Sequence, residues 1–99
     1  MSERNIEVTE ELLHQCLNLT KAARAKATPI HATGTPEAER LVIMMEMADA
    51  YTSDAKWFQE NGDLVRAFGA INYAHAWIDC AVKTGLLDGH DDDTMFTLP

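Results

Sequence analysis

The tripeptide Asn61-Gly62-Asp63 interrupts a long stretch of helical spacing and obliges the chain to turn back on itself. Asparagine and glycine end helices because both tolerate a left-handed C-cap. Aspartate starts them because its carboxylate accepts from the free N–H groups of the next turn. Upstream, Leu41, Met44, Met45, Met47, Ala48, Tyr51, Ala55 and Phe58 recur at helical spacing. Downstream, Leu64, Phe68, Ile71, His75, Ile78 and Val82 form a second stripe, and Ala67, Ala74 and Ala81 form a small-residue edge beside it. The spacing predicts a helical hairpin with arms over about residues 36–61 and 63–84.

The upstream arm has its own start signal in Thr35-Pro36-Glu37: a capping hydroxyl, a proline at the first helical position and an acid. A further helix is predicted over residues 9–27. Thr9 caps it, Glu10 and Glu11 lie at its positive end, and Lys21, Arg24 and Lys26 lie toward its negative end. Its apolar side contains Leu12, Leu13, Cys16, Leu17, Leu19, Thr20 and Ala23. Pro29 and Gly34 make Thr28 to Thr35 a loop, and no strand-like alternation is present. The expected fold is all-α: an antiparallel up-down-up three-helix bundle in one domain, residues 1–99, with a short C-terminal tail at 86–99. At 99 residues such a chain buries roughly 60–70% of its unfolded surface, enough for one core.

The net charge of −8 argues against a nucleic-acid partner, which requires a basic stripe, and against anionic membrane surfaces. No apolar run approaches the ~20 residues of a membrane span, and the opening MSERNIEVTEE lacks the apolar core of a secretion signal. A cytoplasmic location is expected. Cys16 and Cys80 have no CxxC spacing and are expected to be free thiols, too far apart along parallel helices to bridge.

In a hairpin turning at Gly62 and Asp63, residues whose numbers sum to about 126 face one another. That register sets Tyr51 opposite His75 and Asp54 opposite Asn72, with Asp79 one turn beyond His75. Tyr51, Asp54, Asn72, His75 and Asp79 would then converge on one seam. Such a set can fix helix register as a satisfied polar network. It can also bind a small ligand or divalent metal, or act as an acid–base pair; the register network is the simplest of these. The spacing matches neither HExxH nor the ExxH pairs of di-iron bundles, so no metal, cofactor or catalytic residue is assigned. Walker A and GxGxxG elements are missing, and Ser2 and Ser53, the only serines, lack the setting of an activated nucleophile. The chain is expected not to be an enzyme.

The third helix is apolar nearly all round. Opposite its core stripe stand Gly69, Tyr73, Trp77 and Cys80, more than a three-helix bundle covers. The tail places Met95, Phe96 and Leu98 directly after Asp91-Asp92-Asp93, whereas disordered tails are poor in such residues. Tyr73, Trp77, Met95, Phe96 and Leu98 are therefore the candidate interaction surface for a protein partner or a second copy. Phe96 and Leu98 are expected to dock near Tyr73 and Trp77, in the same or a neighbouring chain, with the three aspartates as a solvated spacer; the alternative is a disordered end.

From Tyr51 to Leu87 the chain resembles the archaeal domain-of-unknown-function family 357. The resemblance rests on Asp54-Ala55, Phe58, Gly62-Asp63, Arg66-Ala67-Phe68, Asn72-Tyr73-Ala74, Trp77-Ile78-Asp79 and Gly85-Leu86. Where members more usually show glycine before the tryptophan and Ala-Gly after the aspartate, this chain has Ala76, Cys80 and Ala81. The resemblance implies a small archaeal cytosolic three-helix bundle, and it brings no catalytic residues because the family has no assigned activity.

Overall fold

The computed structural model describes residues 6–99; Ser2 and the first five residues of the opening segment lie outside them. Three helices carry the fold: α1 (Glu10–Lys26), α2 (Pro36–Glu60) and α3 (Leu64–Lys83). Each begins on the side chain expected to cap it. Thr9 Oγ1 accepts from the Leu12 N–H at 3.1 Å, Thr35 Oγ1 from Ala38 at 3.2 Å, and an Asp63 carboxylate oxygen from Arg66 at 3.0 Å. At the hairpin turn Gly62 has φ 76°, and Asp63 N–H reaches back to Phe58 O at 2.9 Å. The end of α3 repeats this arrangement, with Gly85 at φ 79° and Leu86 N–H on Ala81 O at 2.9 Å. Both glycines supply the left-handed residue that lets the next amide satisfy a helix-end carbonyl.

The loop after α1 is less irregular than its proline and glycine suggested. Thr28–Pro29 (β1) pairs antiparallel with Leu87–Asp88 (β2), and Ile30 N–H donates to Leu86 O at 3.2 Å. Two-residue strands are too short to leave alternation in the sequence. The pair pins the α1–α2 connection to the end of α3.

α3 is the central helix. It packs extensively against α2 and also against α1, whereas α1 and α2 make little direct contact. The molecule is correspondingly flat, 47 × 33 × 16 Å along its principal axes. The contacts of α2 run in the opposite sense to α3: Ala55 clusters with Ala67, Ile71 and Ala74, and Met45 and Ala48 with Ile78, Ala81 and Val82. Those of α1 run in the same sense, with Leu13 in the first cluster and Ala23 and Ala27 in the second.

Ala48 and Ala55 of α2 and Ala67, Ala74 and Ala81 of α3 are all essentially inaccessible to solvent. Both sets repeat every seven residues. Methyl-sized side chains at that repeat let two helices approach closely along a continuous seam. An added side chain there has no space to occupy. Ala74→Leu should lower stability by about 1–3 kcal/mol through overpacking, read as a fall in the urea midpoint.

Candidate functional site

His75 joins three elements. Its Nδ1 lies 3.1 Å from Thr20 Oγ1 of α1 and its Nε2 lies 2.9 Å from the Met95 carbonyl oxygen. A carbonyl only accepts, so Nε2 carries the proton, and in the neutral ring Nδ1 accepts from the threonine hydroxyl. Thr20 is buried. Its hydroxyl therefore depends on the ring for a partner.

The tail that provides Met95 is ordered along the same edge of α3. Thr97 N–H donates to an Asp79 carboxylate oxygen, and Lys83 Nζ donates to Leu98 O at 2.8 Å. The chain reaches this edge by a reversal after β2 in which His90 and Asp91 both take positive φ, 54° and 58°. His90 N–H bonds Asp88 Oδ1 at 2.7 Å, and its Nε2 lies 2.9 Å from Thr28 Oγ1. Asp92 then caps a single turn, accepting from Thr94 N–H, Thr94 Oγ1 and Met95 N–H. That turn directs Phe96 into the core, where it is 4% exposed. Gly89 makes the close approach possible, since a Cβ there would lie 2.9 Å from the Phe96 ring and 3.0 Å from Val82.

The tail thus docks within its own chain, but on the opposite edge of α3 from the one expected. Phe96, with Met95 and Leu98 around it, shares the cluster of Ile78, Val82 and Leu87. Tyr73 instead faces α2, its ring edge-on to Tyr51 at 4.5 Å and to Trp77 at 6.1 Å. Nor are the aspartates all spacer. The Lys26 ammonium, 2.7 Å from Asp92, together with the Thr94 hydroxyl, holds the Asp92 carboxyl well below the usual carboxylate range.

The five seam residues do not converge. Asp54 is exposed on the outer side of α2, and Asn72 Nδ2 donates to Phe68 O of its own helix at 2.8 Å. His75 and Asp79 face α1 and the tail, and Tyr51 meets Tyr73. The register of 126 gives the height of each residue along the hairpin; the alanines decide which side of α3 meets α2, and they turn His75 away from it. Among the described residues no group of three His, Cys, Asp or Glu side chains is placed to hold a metal ion. Cys16 and Cys80 are free, and burial raises the Cys16 thiol pKa. Among the described residues no helix is long and apolar enough to cross a membrane.

Two features were missed at the level of sequence. The first is a stripe on the outer side of α2, Ile43, Met47, Ala50, Asp54 and Trp57, with Ile43 61% and Trp57 59% exposed. Its four-three spacing is masked by the stronger inward stripe of the same helix, and Met47, which the sequence groups with that inward stripe, belongs to neither core cluster. The second is a cleft of ≈ 540 Å3 between α1 and α2, which forms because α3 holds those helices apart. Arg24 spans the interhelical gap to Asp49 with two hydrogen bonds, at 3.0 and 3.2 Å. Trp77, half-buried between α2 and α3, has an indole N–H with no hydrogen-bond partner among the described residues.

The model of the family described as "Protein of unknown function (DUF357)" matches residues 13–87. The chain belongs to this family. The match takes in all of α2 and α3, most of α1 and the first residue of β2, and it stops before residues 88–99. No curated protein and no solved structure matches the chain. The α2–α3 alanine seam and the Thr20–His75 contact accordingly lie inside the DUF357 region, whereas Asp92 and Phe96 lie outside it.

Two tests address this site. His75→Ala leaves the Thr20 hydroxyl and the Met95 carbonyl without the ring and should cost about 1–3 kcal/mol, measured by urea unfolding; an unchanged midpoint would show that the ring joins nothing. For Asp92 the folded pKa is depressed. Its contribution is complete above the unfolded value of about 3.9 and is lost progressively as pH falls below it. Asp92→Asn should therefore be less stable than wild type at pH 7, with the gap closing in acid. A gap independent of pH would rule out the ion pair as its cause.

Proposed function

We propose that this DUF357 protein is a non-enzymatic interaction module that associates with a second copy of itself through the outer face of α2. The observation that carries this reading is the stripe Ile43, Met47, Ala50, Asp54 and Trp57, exposed except at the half-buried Met47, with the half-exposed Tyr73 of α3 against Tyr51 of the same helix. Large apolar side chains concentrated on one face mark an interface more often than isolated ones do.

The order of residues favours self-pairing. Antiparallel packing of two copies about Ala50 sets Ile43 opposite Trp57 and Met47 opposite Asp54, with the small alanine at the crossing. Such a contact is self-complementary, as a twofold interface requires. The two Asp54 carboxylates then stand ~12 Å apart along the axis, beyond the Debye length of about 8 Å at physiological salt. One helix face buries less than a standard interface of about 1,600 Å2, so the association is expected to be weak and reversible. Of the surface expected from sequence, Tyr73 belongs to this proposal. Met95 and Leu98 pack against the chain's own core, as does the buried Phe96.

Sedimentation equilibrium across micromolar to millimolar protein tests it. The mass should rise toward a dimer with concentration, and more readily in added salt because each copy carries −8. Trp57→Asp should remain monomeric with an unchanged thermal midpoint. A wild-type protein that stays monomeric throughout would overturn the self-association reading.

A further inference from the structure

The cleft between α1 and α2 gathers positive charge in an acidic molecule. Lys21 and Arg24 from α1 and Lys56 from α2 line it, three of the eight Lys and Arg residues in the chain, facing only Asp49 and Glu60. Arg24 is engaged with Asp49. Among the described residues, neither Lys21 nor Lys56 has a carboxylate within ion-pair distance. Two cations on facing walls of one cleft, neither with a carboxylate at ion-pair distance, leave it able to accept an anionic group.

The remaining lining supplies the other parts of a binding site. Leu17 and Ala25 give apolar surface, and Asn18 and Gln59 offer amides that make no hydrogen bond within the described chain. The volume, ≈ 540 Å3, lies within the range of about 300–1,000 Å3 typical of small-molecule sites. The opening is structural, because α1 and α2 both lean on α3 rather than on each other, with the Arg24–Asp49 pair bridging the gap.

We propose that this cleft is a binding site for a small organic anion, a single phosphate or carboxylate on a compact apolar body, held between Lys21 and Lys56. The anionic group sits between the two ammonium groups, which act as point charges with rotatable donors. The apolar body covers Leu17 and the buried Thr20. Thr20 also bonds His75, so an occupied cleft borders the joint that holds the tail. The site is independent of the outer face of α2.

The test uses the full chain labelled with 15N and titrated separately with phenyl phosphate, benzoate and inorganic phosphate. Phenyl phosphate at millimolar concentration should shift the amides of Lys21, Lys56 and Gln59 in a saturable way. Benzoate serves to separate a carboxylate site from a phosphate site, and inorganic phosphate alone should bind more weakly for want of an apolar body. The double variant Lys21→Gln/Lys56→Gln, both positions exposed, should weaken binding at least about tenfold. The control Arg40→Gln, outside the cleft, should leave it unchanged. The proposal is overturned if no organic anion shifts these amides saturably, if the shifts spread equally to Arg40 and Lys83, or if the double variant binds as wild type does.

Discussion

The seam of Ala48 and Ala55 against Ala67, Ala74 and Ala81 sets the distance between α2 and α3, and the other contacts follow from it. Five methyl groups bury little area individually, at roughly 25 cal/mol per Å2. Their effect lies in what their size permits. With the two backbones close, the larger side chains of α3 cannot lie in the seam and must project to either side. Trp77 and Tyr73 emerge along one edge against α2. His75, Asp79 and Val82 emerge along the other, toward α1 and the tail.

That division explains where the C-terminal residues pack. α1 contacts α3 through Leu13, Thr20 and Ala23 but leaves the edge beside Val82 uncovered, and Phe96 fills the gap. Burying Phe96 contributes about 1.5–3 kcal/mol, offset by about 1–2 kcal/mol for each backbone residue ordered. Apolar contact alone does not hold such a tail. The polar contacts of His75, Asp79, Lys83 and Lys26 distribute the ordering cost over its length, and the capped turn at Asp92 orders several residues by local bonds. Because residues 88–99, Phe96 among them, lie beyond the DUF357 match, this cover is a feature of the chain outside the family region.

Much of the architecture was legible from particular residues. Thr9, Thr35-Pro36 and Asp63 announced the helix starts, Gly62 and Gly85 the ends, and the apolar spacing of α3 the helix that is covered from more than one side. The apolar character of Met95 and Phe96 marked the tail as able to pack, but not the edge of α3 on which it does so. The candidate site was not legible in the same way. Helical spacing gives position along an axis, but the rotation of α3 about that axis depended on which of its two apolar edges met α2. The alanine edge and the Ile71–Ile78 stripe were both visible, and choosing the second placed His75 against Tyr51. The cleft was invisible for a different reason, since it arises from two helices that fail to touch.

The position of the His75 ring tests the account most directly, because it separates these two rotations of α3. Nuclear Overhauser contacts from the ring protons of His75 in the full chain should reach Thr20 of α1 and Met95 of the tail, with the Nε2-protonated tautomer evident from the ring nitrogen shifts. Contacts from the same protons to Tyr51 and Asp54 of α2, with none to Thr20, would contradict the central packing of α3.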